Sequence, residues 1–324
     1  MPRTAVGLVA LVGAGYGLAL RYVSLTNHAT FISSALSPYL TLGAPLAAVL
    51  MLWGRRWVLG VVAIGLTVAA VAAQAPLYIH PTARRAADAE VRVLTANLHN
   101  GNADPDSFVR SARDHADVVA VQELTPDEAD GLARAGLDTT FPYRHLDPRE
   151  GPGGAGMWSR FPISTSADIS GYTFALLTAH IRIAGTQTDT TVVVAHVAGP
   201  WPQPIEDWRR DLSRLPATLS AVGQRAGSGP VIVTADLNST TDMRPFRALL
   251  VEGYQDAAEQ AGAGIKPTFP ADGRLPPFVA IDHILTRGCA ATSLRTLPVP
   301  GSDHRGIVAT ISISRSPASP GTQR

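Results

Sequence analysis

The chain begins with a long apolar region, after which short apolar runs alternate with Gly, Pro and polar residues. Three uncharged stretches lie before residue 80, at 4–20, 22–53 and 57–79. About 20 helical residues cross the roughly 30 Å apolar core of a bilayer, so the last two stretches are long enough and the first is marginal. The pattern predicts a membrane region over residues 1–79 with about three transmembrane helices.

Two other interpretations of this region remain open. The first stretch could be the central part of a signal peptide, although two more hydrophobic stretches follow it and no small-residue cleavage site precedes them. The three stretches could instead be buried helices of a soluble core. The absence of Asp and Glu before Asp88 argues against that second alternative.

From residue 91 the apolar runs shorten to the length of β-strands and are bounded by turn residues. The predicted strands are 91–98, 118–122, 156–159, 174–183, 190–196, 230–235, 280–285 and 306–313. Helical segments lie between them. Apolar strands interspersed with helices are typical of two packed sheets with helices outside them.

Two of the intervening helices have clear start signals. Asp104 before Pro105 is an N-cap, and Thr125 before Pro126 is followed by Glu128 at the spacing of a capping box. Glu128 is therefore interpreted as a cap and not as a catalyst. Two further helices are predicted at 205–225, with a bend at Pro216, and at 244–252.

Charge divides the chain at the same place as hydropathy. Of the 27 Lys and Arg, six precede the first acidic residue, Asp88, so the remainder carries 21 basic against all 26 acidic side chains, a formal balance of −5. Nucleic-acid binding by a broad basic surface needs clustered cations, so this balance disfavours that class of protein. The single cysteine, Cys289, excludes an intramolecular disulfide framework and a Cys-rich zinc site.

Together these patterns predict four parts: the membrane region at 1–79, a linker at 80–90, a large α/β domain at 91–314 and a flexible tail at 315–324. The positive-inside rule does not decide the orientation, because with an internal amino terminus three arginines lie on each side. These are Arg3, Arg55 and Arg56 inside, and Arg21, Arg84 and Arg85 outside. The tight turn at 54–56 favours this arrangement, and three crossings then place the large domain outside the cytoplasm.

Several apolar strands end in a polar group that a core does not require. These groups are Asn97, Gln122 with Glu123, His196, and Asp236 with Asn238; Asp282 lies inside another strand, and Asp303 with His304 precedes the last one. If the strand ends meet at one edge of a sandwich, they form a pocket rich in carboxylates, amides and imidazoles. Such a ligand set suits Mg²⁺ or Mn²⁺, whereas zinc prefers more nitrogen and sulfur.

The same residues form an ordered series of motifs. The series is Asn97, Gln122-Glu123, Ser159-Arg160, His196, Asp236-Leu237-Asn238, Asp282-His283-Ile284 and Ser302-Asp303-His304. Over residues 91–313 it resembles the endonuclease/exonuclease/phosphatase superfamily, which is DNase I-like. The resemblance implies a four-layered α/β sandwich and divalent-metal phosphoesterase chemistry. The usual Gly-Asp-Phe-Asn motif reads Ala-Asp-Leu-Asn here, with both polar positions retained.

The resemblance also implies how the metal and the attacking water are held. Glu123 corresponds to the principal metal carboxylate, supported by Asn97 and Asp303. Asp236 corresponds to the residue that orients or deprotonates the water, and Asn238 to one that holds the phosphate or the metal.

Histidines on the phosphate side complete the implied site. His304 contacts the scissile phosphate, and Asp282 fixes the tautomer of His304 and favours its charged form. His196 resembles the second histidine of the nuclease, sphingomyelinase and inositol-phosphatase branches. His283 is interpreted as structural, because side chains alternate along a strand and it faces away from Asp282.

The remaining polar and aromatic candidates are weaker. His99, Arg144, His145 and Arg160 are interpreted as solvated or structural, although Arg160 lies in a matched motif and could organise a nearby loop. Trp201, Trp208 and Phe278 could line a substrate groove or only cover a core edge.

The resulting hypothesis is a membrane-tethered hydrolase of a phosphate ester or pyrophosphate. A lipid phosphate is a candidate substrate, because the tether confines the site near the bilayer. The layout is similar to bacterial membrane members of the superfamily, including the branch associated with teicoplanin resistance. The alternatives are a Mg²⁺-dependent nuclease, which the acidic balance disfavours, and a non-catalytic binding or signalling module, which the complete motifs disfavour.

Overall fold

The computed structural model describes residues 2–79 and 89–314. Most of the predicted linker at 80–90, including Arg84 and Arg85, and the whole predicted tail at 315–324 lie outside the described residues. The amino-terminal part is helical: α1 Pro2–Leu20, α2 His28–Ala35, α3 Ser37–Thr41, α4 Gly43–Trp53 and α5 Trp57–Gln74, with a 3-10 turn at Ala75–Leu77.

Two of these segments, Pro2–Leu20 and Trp57–Leu77, are long and apolar enough to cross a membrane. The pair His28–Ala35 and Ser37–Trp53 also passes that test but is bent by 62°, so the middle stretch is a broken helix and not a straight one. Local chemistry explains the break at Leu36, since α2 ends at Ala35 and α3 begins at Ser37 with Pro38 in its first turn, where proline is favoured.

The helices form an antiparallel bundle through small residues that allow close approach. Gly7 of α1 faces Met51, Gly17 of α1 faces Leu40, and Gly60 of α5 faces Leu52 of α4. The start of α1 and the start of α5 both meet the end of α4, so each of these helices is antiparallel to α4. Consequently α1 and α5 run in the same direction. Their carboxyl ends lie at the end that carries the α/β domain, and the turn at 54–56 lies at the opposite end.

The α/β domain contains twelve strands. They are β1 Ala89–Asn97, β2 Val118–Gln122, β3 Tyr143–Asp147, β4 Ala155–Ser159, β5 Ile163–Asp168, β6 Leu177–Ile181, β7 Thr190–His196, β8 Val231–Asp236, β9 Gln255–Asp256, β10 Asp282–Arg287, β11 Ala290–Leu297 and β12 Gly306–Ile313. Its α-helices are α6 Pro105–His115, α7 Pro126–Arg134, α8 Leu137–Thr140, α9 Ile205–Ala226, α10 Arg244–Arg247 and α11 Ala257–Gln260.

The strands form two six-stranded mixed sheets of matching design. Their orders are β11-β12-β1-β2-β4-β3 and β5-β6-β7-β8-β10-β9. The central pairs β1–β2 and β7–β8 are parallel, whereas the flanking pairs are antiparallel. Parallel central strands must be covered on both faces, and their uninterrupted burial agrees with that requirement.

Three apolar clusters account for the layers. One cluster lies between the sheets and includes Val93, Leu177 and Ile284. A second lies between the first sheet and α6–α7, and a third between the second sheet and α9. The resulting order is helices, sheet, sheet, helix, so the predicted four-layered α/β sandwich is confirmed.

The helical bundle packs on the α9 side of the sandwich. Leu25 and Phe31 belong to the same apolar cluster as Trp208 and Leu212 of α9. The Phe31 and Trp208 rings meet edge to face, with centroids 5.0 Å apart. The two parts of the chain therefore share a core as well as a covalent link.

Several predicted boundaries differ from the structure. The strand predicted at 174–183 is only Leu177–Ile181, and the helix predicted at 244–252 ends at Arg247. Helix α9 contains Pro216 but continues to Ala226. The caps at Asp104 and Thr125 are confirmed, because each side chain accepts from the backbone N–H three residues later. The side chain of Glu128 does not complete a capping box.

Candidate active site

The strand registers bring the predicted residues to one edge of the two sheets. On the second sheet, His196 at the end of β7 and Asp282 at the start of β10 are both paired in register with Asp236 at the end of β8. On the first sheet, Asn97 ends β1 and Glu123 directly follows β2. The two sets of strand ends face each other across the sandwich.

Asn97 joins the two sheets. Its Nδ2 donates to Glu123 Oε1 and to Asp236 Oδ2, both at 2.9 Å, and its Oδ1 accepts from the His99 N–H at 2.8 Å. The side chain is buried. Asn97 therefore fixes the separation of two carboxylates that would otherwise repel each other.

Glu123 is held in an unusual backbone conformation. Its φ is 59°, and its Oε2 accepts from the Asn100 N–H at 2.7 Å. Of six non-glycine residues with positive φ in the described chain, four lie at this edge: His99, Asn100, Glu123 and Asn238. Such strain persists only where the surroundings enforce it, and it concentrates at functional sites.

His304 and Asp282 form a buried pair. His304 Nδ1 lies 2.8 Å from Asp282 Oδ2, which leaves Nε2 facing the site, 3.8 Å from Asp236 Oδ2. Burial opposes protonation of the ring, but the carboxylates of Asp282 and Asp236 outweigh it and raise the pKa of His304 to about 10. His304 is therefore a cation at neutral pH.

Asp236 is the central carboxylate. Its Oδ1 accepts from the Asn238 N–H at 2.9 Å, and its Oδ2 faces Asn97, His196 and His304. Burial, followed by the charge of Asp282, raises the pKa of Asp236 above its ordinary value. A raised pKa makes the carboxylate a better proton acceptor than a free aspartate.

His196 lies between the two sheets. Its Nδ1 is 3.2 Å from the carbonyl oxygen of Pro152, and its Nε2 is 3.6 Å from Asp236 and 3.8 Å from Glu123. The Phe174 ring packs on it with centroids 4.6 Å apart. If Nδ1 donates to the carbonyl, Nε2 is left as the nitrogen directed at the carboxylates.

Asn238 and Asp303 complete the set. Asn238 Nδ2 donates to the Val197 carbonyl at 3.0 Å, which leaves its Oδ1 as the free side-chain atom. Asp303 is partly buried at the mouth, where its Oδ1 lies 3.8 Å from His99 Nδ1. Burial raises the pKa of Asp303. All eight residues predicted for the site thus converge at one edge.

The donor set fits a hard divalent cation. Asp236, Asp282 and His304 have ligand atoms within 4.8 Å of one another and form a candidate buried metal site. Within the described residues, histidines are the only basic side chains paired with the site's carboxylates, so much of their negative charge lacks a permanent counter-ion. Clustered carboxylate oxygens with that charge are the ligands that Mg²⁺ prefers.

Some sequence candidates lie elsewhere. The guanidinium of Arg160 donates hydrogen bonds to the carbonyl oxygens of Arg113 and Ala116 and packs on the Phe141 ring. Arg160 therefore organises the end of helix α6 and not a loop at the site. His283 bonds Asp256 and the Ser239 carbonyl, as expected of a structural residue.

Three other candidates have surroundings that sequence reasoning left open. At the far edge of the first sheet, Arg144 pairs with the partly exposed Asp138 and His145 with the exposed Asp168. Trp208 is buried and donates to the Asn238 carbonyl at 3.0 Å, so it supports the site and does not line a groove.

Other supporting residues were missed by sequence reasoning. Phe269 packs on His304 with ring centroids 5.0 Å apart, and the Ala271 N–H donates to the Asp303 carbonyl at 2.6 Å. His99 was not missed: it was interpreted as solvated or structural, and it lies at the mouth with its Nδ1 3.8 Å from Asp303 Oδ1. The run His99-Asn100-Gly101 is a left-handed turn, and its Asn-Gly pair was the signal that could have indicated it.

Comparison with known proteins agrees with this geometry. The model of the Endonuclease/Exonuclease/phosphatase family matches residues 94–304. No curated protein matches the sequence at a significant level.

Solved structures share the fold at low identity. A humanized TDP2 of D. rerio has a TM-score of 0.55 at 17% identity, covering 69% of this chain and 99% of its own. A mannosyl-6-phosphatase of Bacteroides thetaiotaomicron has a TM-score of 0.56 at 14% identity, covering 69% of this chain and 100% of its own. TDP2 of Caenorhabditis elegans has a TM-score of 0.57 at 14% identity, covering 90% of this chain and 95% of its own.

Proposed function

Because this chain belongs to the endonuclease/exonuclease/phosphatase family, we propose that it is a membrane-tethered, divalent-metal-dependent phosphoesterase that hydrolyses a phosphate ester or pyrophosphate. The observation that supports this most strongly is the convergence of Glu123, Asp236 and His304 on one buried, oxygen-rich edge.

In this proposal Glu123, Asn97 and Asp303 hold Mg²⁺ or Mn²⁺, which when bound polarises a phosphoryl oxygen and offsets developing charge. Asp282 and His304 are also near enough to bind a cation with Asp236. However, the hydrogen bond to Asp282 keeps His304 protonated, and a positively charged ring would repel a cation. A cation therefore fits better beside Glu123. Ligation by Asn97 would require its amide to turn, since Nδ2 now faces the carboxylates.

The protein's own residues then handle the water and the phosphate. Asp236 accepts a proton from the attacking water, with Asn97 and the Asn238 N–H fixing its orientation. His304 donates from Nε2 to an oxygen of the scissile phosphate, and Asp282 keeps it charged. His196 offers a second imidazole on the same side. Asn238 Oδ1 is an acceptor, so contact with the cation suits it better than contact with phosphate.

The proposed organisation is a membrane region at 1–79, a linker at 80–90, a catalytic domain at 91–314 and a tail at 315–324. The protein is a multi-pass cell-membrane protein with its catalytic domain outside the cytoplasm. This layout supports a place among bacterial membrane members of the family, including the teicoplanin-resistance-associated branch. A lipid phosphate is the favoured substrate, because the bundle shares a core with the catalytic domain.

The test is a panel of lipid and nucleotide phosphoesters with the purified full chain, Mg²⁺ or Mn²⁺, and a Glu123→Ala control. We expect release of phosphate or of a phosphorylated head group from a lipid member, abolished in the variant. Cleavage of DNA that depends on Glu123 would support a nuclease instead. No turnover of any ester by folded protein across divalent metals would contradict the proposal and support a non-catalytic module.

A further inference from the structure

Two loops flank the candidate active site. The first, residues 197–204, follows His196, and its Gly199 lies beside the side chain of Asn238. The second, residues 269–279, begins where Phe269 packs on His304. We call them the 197–204 loop and the 269–279 loop.

The amino-terminal helices hold both loops. His28 of α2 has its Nε2 3.2 Å from the Pro200 carbonyl oxygen, and its ring packs on Trp201 with centroids 4.3 Å apart. Tyr39 of α3 donates its hydroxyl to the Phe278 carbonyl at 2.5 Å. Both contacts lie at the end of the bundle that carries the catalytic domain, so the mouth of the site lies beside that end.

The tips of these loops are apolar and exposed. Trp201 is 56% exposed, Leu275 72% and Phe278 39%. Within residues 89–314 only two other large apolar side chains are comparably exposed, Tyr143 and Val251. Three of the five therefore cluster on the loops that flank the site and contact the bundle. Scattered apolar residues on a surface need no explanation, but a cluster at a site mouth indicates a contact surface.

A cleft runs from the site along the 269–279 loop, as far as Pro277, the residue before Phe278. Its volume is about 400 Å³, and it extends from His304 and His99 to Ala271 and Pro277 of the 269–279 loop. His304 and Arg305 line the cleft on the site side, and Asp272 and Pro277 line it on the loop side. His304 can donate to a phosphate oxygen at the site end, and the exposed Leu275 and Phe278 beside the loop end suit an apolar tail.

We infer that Trp201, Leu275 and Phe278 contact the bilayer, and that the substrate is a membrane amphiphile whose phosphate enters the cleft while its hydrocarbon stays in the membrane. The inference rests on the proposed function. A bilayer is the occupant that continuity favours, because the loops contact α2 and α3, which belong to the bent pair at 28–53 and pack beside α1, a helix long enough to cross a bilayer. Trp and other apolar side chains of this kind insert into the interfacial layer.

The single cysteine makes the contact measurable. In a Cys289→Ser background, Leu275→Cys labelled with an environment-sensitive fluorophore is placed in phosphatidylcholine vesicles as the full chain. We expect strong quenching by spin-labelled lipid at position 275 and little at the matched control Val251→Cys. Equal quenching at both positions would overturn bilayer contact. A label shielded from water but not quenched would indicate a protein partner and would also overturn it.

A kinetic arm tests how the substrate is presented. Dioleoyl phosphatidic acid in vesicles and water-soluble dibutyryl phosphatidic acid are hydrolysed in parallel by wild type, Leu275→Ser with Phe278→Ser, and Val251→Ser. The double variant should lose about tenfold or more on vesicles alone, because two apolar anchors no longer bury at the interface. An unchanged vesicle-to-soluble ratio would overturn membrane presentation. Failure to hydrolyse either probe would count against phosphatidic acid under the proposed function, and the quenching result would still decide bilayer contact.

Discussion

At the scale of single residues, the site depends on side chains that fix one another. Asn97 holds Glu123 and Asp236 together, while Asp282 holds His304. An unpaired carboxylate at such depth would be costly, so each acid needs its partner or a cation. The chemistry proposed for Asp236 and His304 follows from these partners and not from residue type alone.

Replacing Asp236 or His304 by Ala should each lower the turnover number by about 100-fold or more, the usual scale for a general base or an electrostatic donor. His115→Ala, which removes an imidazole on α6 away from the site, should leave turnover unchanged. Steady-state kinetics on any hydrolysed ester, with circular dichroism to confirm folding, measures the effect. Near-wild-type turnover in either site variant would refute its assigned role.

Glu128 gives a prediction about stability and pH. Its side chain is 4% exposed, and burial, followed by the nearby charge of Asp104, raises its pKa to about 8 from an ordinary value of 4.5. Between those two values the folded protein binds more protons than the unfolded chain, so this group makes stability fall as pH rises through that window.

The variant Glu128→Gln cannot titrate at this position. Between pH 5 and pH 9 its free energy of unfolding should therefore fall less than that of wild type, with a difference on the order of 2 kcal/mol. Thermal unfolding of both proteins in detergent at several pH values measures the difference. Parallel pH profiles would show that Glu128 is ionised normally in the folded state.

Sequence predicted the chemical residues better than their surroundings. Polar groups at strand ends could be predicted as site residues, because packing of an apolar strand does not require a polar side chain such as Asn97 or Asp236. Phe269 and the backbone N–H of Asn100 were not, because nothing in their local pattern indicates which distant group they contact. The role of Trp208 was equally hidden, since its partner lies thirty residues away.

At the scale of elements, buried strands were predictable and exposed ones were not. Strand β5 has one partly buried residue followed by exposed ones, and β11 is interrupted by a bulge, so neither has an apolar run or strict alternation. Edge strand β3 is similarly half exposed, and β9 is only two residues long. Tertiary pairing, and not local pattern, makes these segments strands.

One ion pair links elements of the two parts of the chain. Arg21, just after α1, pairs with Asp242 in the loop after β8, and Gln74 of α5 donates to both oxygens of Asp242 at 3.0 Å. Asp242 is buried, and Arg247 donates to its carbonyl at 2.6 Å. The loop that carries Asn238 is therefore fixed by the helical bundle.

Asp242→Leu should destabilise the protein by about 3–5 kcal/mol, because it leaves Arg21 buried without its partner. The double variant Arg21→Met with Asp242→Leu should recover most of that loss, since an apolar pair can replace a buried ion pair. Thermal unfolding of the single and double variants in detergent gives the coupling. Simple additivity of the two losses would show that the pair does not form.

At the scale of the whole molecule, the fold changes how many unpaired arginines lie at each end of the helical bundle. That number is what the positive-inside rule uses to assign the orientation. Arg21 lies at the domain end but is neutralised by Asp242, whereas Arg55 and Arg56 lie at the opposite end, where Arg3 packs over Trp53 at 4.4 Å. Among the described residues, the free positive charge at the bundle ends is concentrated away from the catalytic domain. The positive-inside rule then favours a catalytic domain outside the cytoplasm.

Protease added to intact cells should therefore digest the catalytic domain, and Arg55→Glu with Arg56→Glu should reduce the digested fraction by weakening the orientation signal. Immunoblotting with a carboxy-terminal epitope tag measures both. Protection in intact cells, with cleavage only after lysis, would reverse the proposed orientation.

The central claim is that side chains from distant parts of the chain gather around one divalent cation. Its most direct test is titration of the purified full chain with Mn²⁺, followed by electron paramagnetic resonance. Wild type and the control Glu259→Gln, which changes an acid on α11, should bind the ion, and Glu123→Gln should bind it about tenfold or more weakly. No binding by folded wild type, or equal binding by Glu123→Gln, would contradict the account.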